Sequence, residues 1–142
     1  MSAPGRILAV DWGRRRIGLA ISDELGVSVR GLPTLEHTNG EADLQAIEKI
    51  VEDNEVRVLV VGQPFHLDGR SSASSRLAKR FGKNLAKRCG VELVLFDERL
   101  TSVEAEERLR KPKRGSRVPK TAIDQMAAQI LLEGYLRSLE QA

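Results

Sequence analysis

The sequence predicts one α/β domain with a mixed five-stranded sheet, whose first three strands are antiparallel and whose helices cover both faces. Two observations indicate this fold class. Apolar segments near the start are joined by short turns, which is typical of hairpins. Later apolar segments alternate with stretches of helical periodicity, which is typical of parallel strands joined by crossover helices. Because neither a repeat nor a linker interrupts the 142 residues, we expect residues 1–142 to form a single domain.

The hairpin strands come from the first part of the chain. Apolar residues at 7–10 and 17–21 flank a short turn and predict two antiparallel strands. Residues 27–35 predict a third strand, which Pro33 restricts to the edge of the sheet or to its own end. After a turn at 37–40, an apolar stripe at helical spacing predicts the first helix: Leu44, Ile47 and Val51.

The alternating part of the fold follows. Residues 56–62 and 91–96 contain apolar runs that predict buried strands. Between them, residues spaced by four predict a helix that Gly90 ends: Leu77, Phe81 and Leu85. Thr101 and Glu104 form a capping box that predicts a short third helix. A final helix is expected to be capped by Thr121, with an inward stripe of Ile123, Ala127, Ile130 and Leu131.

Charge is distributed unevenly along the chain. The formal net charge is +3, and it is concentrated in two basic windows, residues 76–88 and 108–120, neither of which contains an acid. Blocks of this kind favour a polyanionic partner, although clustering on a solvated surface would produce them too.

Composition excludes several classes of protein. Aromatic residues make up only 4% of the chain, which argues against a series of base-stacking platforms. The single cysteine, Cys89, excludes an internal disulfide framework and is expected to be semi-buried, not a nucleophile. No apolar run approaches a membrane span, and the first ten residues lack the apolar core of a secretory signal. We therefore expect a cytoplasmic protein with no membrane partner.

Three acids stand where a phosphoryl-transfer site would need them. Asp11 ends the first strand, Glu98 ends the last strand, and Asp124 lies in the first turn of the final helix. Strand ends at one edge of an α/β sheet can converge with a helix start, and carboxylates suit Mg²⁺ or Mn²⁺. Purely structural roles stay open for each of the three acids, and for Asp11 the alternative is a turn aspartate. Asp124 would stabilise a helix N-terminus in any protein, and Glu98 could form a surface ion pair with Arg99.

Four motifs, in order and at comparable spacing, resemble those of the YqgF (RuvX-like) family across nearly the whole chain. They comprise Asp11, Trp12, Gly13, Ile17, Gly18, Leu19 and Ala20; Val61, Gly62, Gln63 and Pro64, with Asp68 and Gly69; Asp97, Glu98, Arg99, Leu100, Thr101 and Ser102; and Ile123, Asp124, Ala127, Ala128, Ile130 and Leu131. The resemblance implies an RNase H-like fold. It also implies a metal-dependent nuclease, a hydrolase of phosphodiester bonds, that processes the 5′ end of pre-16S rRNA during ribosome biogenesis.

Carried over by position, Asp11, Glu98 and Asp124 fall on the family's proposed catalytic acids. We hypothesise that they bind one or two Mg²⁺ or Mn²⁺ ions, which activate a water for attack on a backbone phosphate. Asp97 is a second-tier candidate. The resemblance is weaker at Gln63, where many relatives have Leu, and at His66, where many have Asn.

Basic side chains are the expected contacts to nucleic acid. Three follow the first acid directly, and five lie in or next to a basic loop: Arg14, Arg15 and Arg16, and Lys111, Lys113, Arg114, Arg117 and Lys120. Pre-rRNA is the favoured partner, free or within a ribosome-assembly intermediate, and branched DNA is the other candidate. The chain is expected to act as a monomer or as a homodimer, since junction resolution usually requires two active sites.

Three further functions stay open on the sequence alone. The first is Holliday junction resolution in DNA recombination or repair, an older assignment of the same family. The second is a non-catalytic RNA-binding factor in ribosome assembly. The third is a nucleotide-binding phosphotransferase, since sugar kinases and actin also open with Asp-x-Gly on a first strand. Those proteins need a second such domain, and 142 residues leave no room for it.

Overall fold

A computed structural model describes residues 4–63, 73–97 and 119–140 of the chain. These residues form five strands and three helices: β1 (Arg6–Trp12), β2 (Arg16–Ser22), β3 (Val29–Glu36), α1 (Gly40–Asp53), β4 (Val56–Gln63), α2 (Ala73–Cys89), β5 (Glu92–Asp97) and α3 (Lys120–Glu140). The helix predicted from Thr101 and Glu104 lies outside the described residues. Within the described ranges, no helix has both the length and the apolar composition that crossing a bilayer requires.

The five strands form one mixed sheet in the order β3-β2-β1-β4-β5. β1 pairs with β2 and β2 with β3 in antiparallel orientation, whereas β1–β4 and β4–β5 are parallel. The predicted sheet is therefore confirmed, including the hairpin strands at its start. β3 lies at the edge of the sheet, which agrees with the position of Pro33. Proline lacks the backbone N–H that a central strand would donate to a neighbouring strand.

Alternation along β1 divides the core between the two faces of the sheet. Leu8 and Val10 pack under α1 and α2, together with Ile47 and Leu85. Ile7 and Ala9 point to the other face, where they pack with residues of α3. Helices thus cover both faces of the sheet. Odd-numbered residues of β1 face α3, and even-numbered residues face α1 and α2.

The buried face of α2 differs from the predicted stripe. Leu77 is 42% exposed and Phe81 is only half-buried, whereas the residues that face the sheet are mostly small: Ser75, Ala78, Gly82, Leu85 and Ala86. A Cβ atom added at Gly82 would lie 2.9 Å from a methyl group of Val61, so this helix packs unusually close to the sheet. The larger Leu77 and Phe81 are displaced to the side of the helix that faces α1.

The start of α3 is also different from the prediction. The carbonyl oxygen of Pro119 accepts hydrogen bonds from the backbone N–H groups of Ala122 and Ile123, so the helix begins at Lys120 and Thr121 lies inside it. Thr121 as the N-cap is therefore wrong. The predicted inward stripe is wrong in part, since Ile123 is 38% exposed, and the buried residues are Ala128, Ile130, Leu131 and Leu132.

Candidate functional site

Asp11 lies near the end of β1 and is half-buried. Like Ile7 and Ala9, which pack against α3, it is an odd-numbered residue of the strand. Because side chains alternate along a strand, the carboxylate of Asp11 is directed to the α3 face of the sheet. Its partner across the hairpin is Gly18 of β2.

Gly18 brings Asp124 next to Asp11. A Cβ atom built on Gly18 would lie 2.2 Å from the carbonyl oxygen of Asp124, so the backbone of α3 occupies the space that a side chain would fill. Residues opposite each other in an antiparallel pair point to the same face, and their Cβ positions are about 5 Å apart. The structure therefore places Asp124 beside Asp11 on one face of the sheet.

Asp124 belongs to the sheet-facing side of α3 and not to its capping turn. Because the helix begins at Lys120, its first turn contains no acid, and the expectation that Asp124 lies in that turn is wrong. Asp124 precedes Ala128 by four residues and Leu131 by seven, and both of these are buried against the sheet. Stabilisation of the helix N-terminus therefore does not account for Asp124.

A guanidinium group holds the Asp124 carboxylate. Arg16 Nε donates to Asp124 Oδ2 over 2.6 Å, and both side chains are about one-quarter exposed, at 25% and 27%. The other two arginines of the turn are exposed, and Arg14 Nε donates to Ser74 Oγ over 3.2 Å. Of the three arginines of this turn that were predicted to contact nucleic acid, Arg14 and Arg15 face solvent, and Arg16 is paired with Asp124.

The third predicted acid, Glu98, lies outside the described residues. Asp97 ends β5 and is paired in register with Gln63, whose side chain accepts a hydrogen bond from Ser75 of α2. Its neighbour Phe96 packs in the core under α3, so Asp97 is directed to the opposite face from Asp11. Among residues 4–63, 73–97 and 119–140, no three His, Cys, Asp or Glu side chains form a cluster able to hold a metal ion.

A buried acid and a histidine, which the sequence analysis did not single out, fix the turn after Asp11. His37 Nε2 donates to the carbonyl oxygen of Gly13 over 2.6 Å, and its Nδ1 lies 2.6 Å from Asp43 Oδ2. The Asp43 side chain is 1% exposed, and it also accepts from the backbone N–H of Thr38. The backbone N–H of His37 donates to the carbonyl of Arg15, so the turn is held at two points. The contacts of His37 with Gly13 and Arg15 join residues more than twenty positions apart, so no local motif marks them.

Asp43→Ala is expected to lower the free energy of unfolding by about 2–3 kcal/mol, since it leaves His37 Nδ1 and the Thr38 N–H without their buried acceptor. Urea denaturation measures this. Asp43→Asn is the matched control: its amide keeps a hydrogen-bonding group of the same shape beside His37 and the Thr38 N–H, so it should lose less than half as much. Equal midpoints for wild type and Asp43→Ala would contradict the proposed role of the carboxylate.

Arg88 joins α1 to α2. It donates to Glu41 over 2.7 Å and to Glu48 over 3.1 Å. The Arg88 guanidinium holds the pKa of the Glu41 carboxyl below its usual value. Burial raises the pKa of the neighbouring Cys89 thiol, which keeps it protonated and agrees with the expectation that Cys89 is not a nucleophile.

Of the nucleic-acid contacts predicted in the second half of the chain, one lies among the described residues. Lys120 is the exposed first residue of α3. The remaining members of the basic loop lie outside the described residues: Lys111, Lys113, Arg114 and Arg117.

Comparison with known proteins agrees with this fold. The model of the RuvX family, described as Holliday junction resolvase, matches residues 5–138. A protein of Koribacter versatilis named "Putative pre-16S rRNA nuclease" is 42% identical over 132 residues, which are 93% of this chain and 86% of that protein. A protein of Picosynechococcus with the same name is 41% identical over 139 residues, 98% of this chain and 96% of its own.

Solved structures share the fold at low sequence identity. RuvC of Thermus thermophilus, in complex with a Holliday junction substrate, aligns with a TM-score of 0.64 at 12% identity, covering 94% of this chain and 96% of RuvC. The fowlpox virus Holliday junction resolvase aligns with a TM-score of 0.56 at 13% identity, covering 94% and 99%. The RNase H-like fold is thereby confirmed.

Proposed function

The chain belongs to the RuvX family, and from that premise we propose that it is a metal-dependent nuclease acting on structured nucleic acid. The favoured substrate is pre-16S rRNA, because relatives about 40% identical over nearly the whole chain carry that name. The observation that supports the proposal most directly is that the Asp124 backbone lies against Gly18, the residue paired with Asp11. A cytoplasmic site of action follows from such a substrate.

The donor set suits a hard divalent cation. Asp11 and Asp124 offer carboxylate oxygens only, which Mg²⁺ and Mn²⁺ prefer. We assign these two residues, with Glu98 as the third, as the groups that would hold the ion. Such an ion, when bound, favours attack of water on a phosphodiester by neutralising charge on the phosphate.

Arg16 positions Asp124 for this role. Its guanidinium binds one oxygen of the carboxylate, Oδ2, and so restricts the side chain to one orientation next to Asp11. It also offsets the repulsion that two neighbouring carboxylates would otherwise experience. We therefore assign Arg16 to the support of the acids, and we assign phosphate contacts to the exposed Arg14 and Arg15 and to the basic side chains of α2.

A cleavage panel tests the proposal. The purified protein is offered pre-16S rRNA with its 5′ extension, an unstructured RNA and a four-way DNA junction, each in Mg²⁺, in Mn²⁺ and in EDTA. We expect cleavage at the 5′ end of the precursor with either ion and none in EDTA. Faster cleavage of the junction would favour the second candidate, Holliday junction resolution, for which the description of the family is the supporting observation.

One outcome would reject the nuclease altogether. Tight RNA binding that EDTA does not change, with no cleavage of any substrate in either metal, would identify a non-catalytic assembly factor.

A further inference from the structure

A groove opens between α1 and α2, at the end of the sheet where β1 terminates. Its volume is about 320 Å³, within the range of small-molecule sites. Trp12 and His37 form the inner wall, and the start of α1 forms one side. The opposite side is a single face of α2, whose members recur at intervals of three and four: Leu77, Arg80, Phe81 and Asn84.

The groove exists because α2 packs on the sheet through small residues. With Ala78 and Gly82 against the strands, the bulkier Leu77 and Phe81 are turned towards α1 instead. Leu77 is 42% exposed, although an apolar side chain at helical spacing usually serves the core. The groove therefore presents apolar and aromatic surface to solvent.

The polar groups of His37 in the inner wall are already hydrogen-bonded. Asp43 and His37 bond to each other, and His37 also donates to Gly13. Trp12 meets the His37 ring edge-on, with 5.4 Å between the ring centroids and an interplanar angle of 68°. A ligand in the groove thus meets an aromatic wall, and polar side chains that line the groove, among them Arg80 and Asn84, are available to it.

The helix that forms one side of the groove is strongly basic, and one of its basic residues, Arg80, lines the groove. α2 carries six Lys and Arg residues and no acid: Arg76, Lys79, Arg80, Lys83, Lys87 and Arg88. An aromatic cleft beside such a helix is complementary to a flat ring attached to a phosphate chain. Nucleotides in a strand have this chemistry.

The groove adjoins the candidate catalytic edge. Trp12 follows Asp11 directly, so their Cα atoms are about 3.8 Å apart while their side chains lie on opposite faces of the sheet. A strand that crosses this edge can expose a phosphate to Asp11 on one face and insert a neighbouring base on the other.

We propose that this groove binds one unpaired nucleobase of the strand to be cleaved, stacked against Trp12 and Phe81, with Asn84 at the base edge and Arg80 at its phosphate. The inference rests on the proposed function for its class of substrate. It adds a specificity element, because a fully paired strand has no base to insert. The low aromatic content excludes a series of stacking sites but not a single one.

The fluorescence of Trp12 reports on the groove, because it is the only tryptophan of the chain. In EDTA, which prevents cleavage, a short oligoadenylate should quench this emission. An abasic strand of the same length keeps the phosphates but lacks the bases. We expect it to bind about 5- to 150-fold more weakly, the range that stacking of one base supplies, and to leave the emission unchanged. Equal quenching by both strands would overturn the proposal.

Variants of α2 test whether the base binds in this groove. Phe81→Leu keeps an apolar side chain for folding but removes the ring, and it should reduce the difference between the two strands to less than half. Arg80→Ala and Lys79→Ala remove one positive charge each from the same helix, and only Arg80 lines the groove. We expect Arg80→Ala to weaken oligoadenylate binding several-fold more than Lys79→Ala. If the two variants are equally weak and Phe81→Leu behaves as wild type, the bases bind elsewhere.

This test is independent of catalysis. Loss of the base effect together with intact cleavage of pre-16S rRNA would reject the groove alone. Persistent quenching in a protein that cleaves nothing would reject the nuclease alone.

Discussion

Asp11→Asn is expected to lower the rate of pre-rRNA cleavage in Mg²⁺ by about a thousandfold, which corresponds to roughly 4 kcal/mol of activation free energy. The amide has nearly the shape of the carboxylate, so the strand end should be unchanged. It is neutral, however, and a poor ligand for a hard cation. Single-turnover cleavage with saturating enzyme measures the chemical step directly.

Two further measurements make the result specific. Asp53→Asn removes another carboxylate, on an exposed residue at the end of α1, and should cleave at the wild-type rate. Thermal unfolding with and without Mn²⁺ reports on binding of the ion without any substrate: the wild-type midpoint should rise, and that of Asp11→Asn should not. If a folded Asp11→Asn protein cleaves as fast as the wild type, the carboxylate mechanism is rejected.

Gly18→Ala is expected to destabilise the protein by about 3 kcal/mol or more and to reduce cleavage strongly in the protein that still folds. The added methyl group would lie 2.2 Å from the carbonyl oxygen of Asp124. This oxygen belongs to the backbone of α3, so it cannot rotate out of the way as a side chain could. Either α3 moves off the sheet or β2 bends, and both changes displace Asp124 from Asp11. Urea denaturation followed by circular dichroism gives the stability, and the cleavage assay gives the activity.

Gly40→Ala is the matched control. It makes the same chemical change at the first residue of α1, where a Cβ atom would meet nothing within 4 Å. We expect its stability to stay within about 0.5 kcal/mol of the wild type. If Gly18→Ala unfolds at the same urea concentration as Gly40→Ala, the close approach of α3 to β2 is not a constraint on the site.

The sheet could be predicted from the sequence because its signals are local. The short turn between two apolar runs specifies the hairpin, and Pro33 assigns β3 to an edge. The stripes of α2 and α3 were predicted less well. Which side of a helix is buried depends on how closely it approaches the sheet, and small residues such as Gly82 and Ala128 allow that approach without any strong apolar pattern.

The candidate site also contains residues that the sequence predicts and residues that it does not. Asp11 could be singled out because an acid at the end of an apolar strand is unusual. The Arg16–Asp124 ion pair and the hydrogen bond from His37 to Gly13 could not, because each depends on the distance between separate elements of the fold. Sequence spacing carries no information on such distances without an independent knowledge of the packing.

The contact between Gly18 and α3 links the site to the pairing register of the hairpin. If β2 slipped by one residue against β1, the side chains of Ile17 and Leu19 would turn towards α3, and Gly18 would turn away. The helix could then not settle at its present depth, and Asp124 would not reach Asp11. Assembly of the two acids is therefore conditional on correct strand alignment, so a misaligned chain would lack the centre that we propose for cutting nucleic acid.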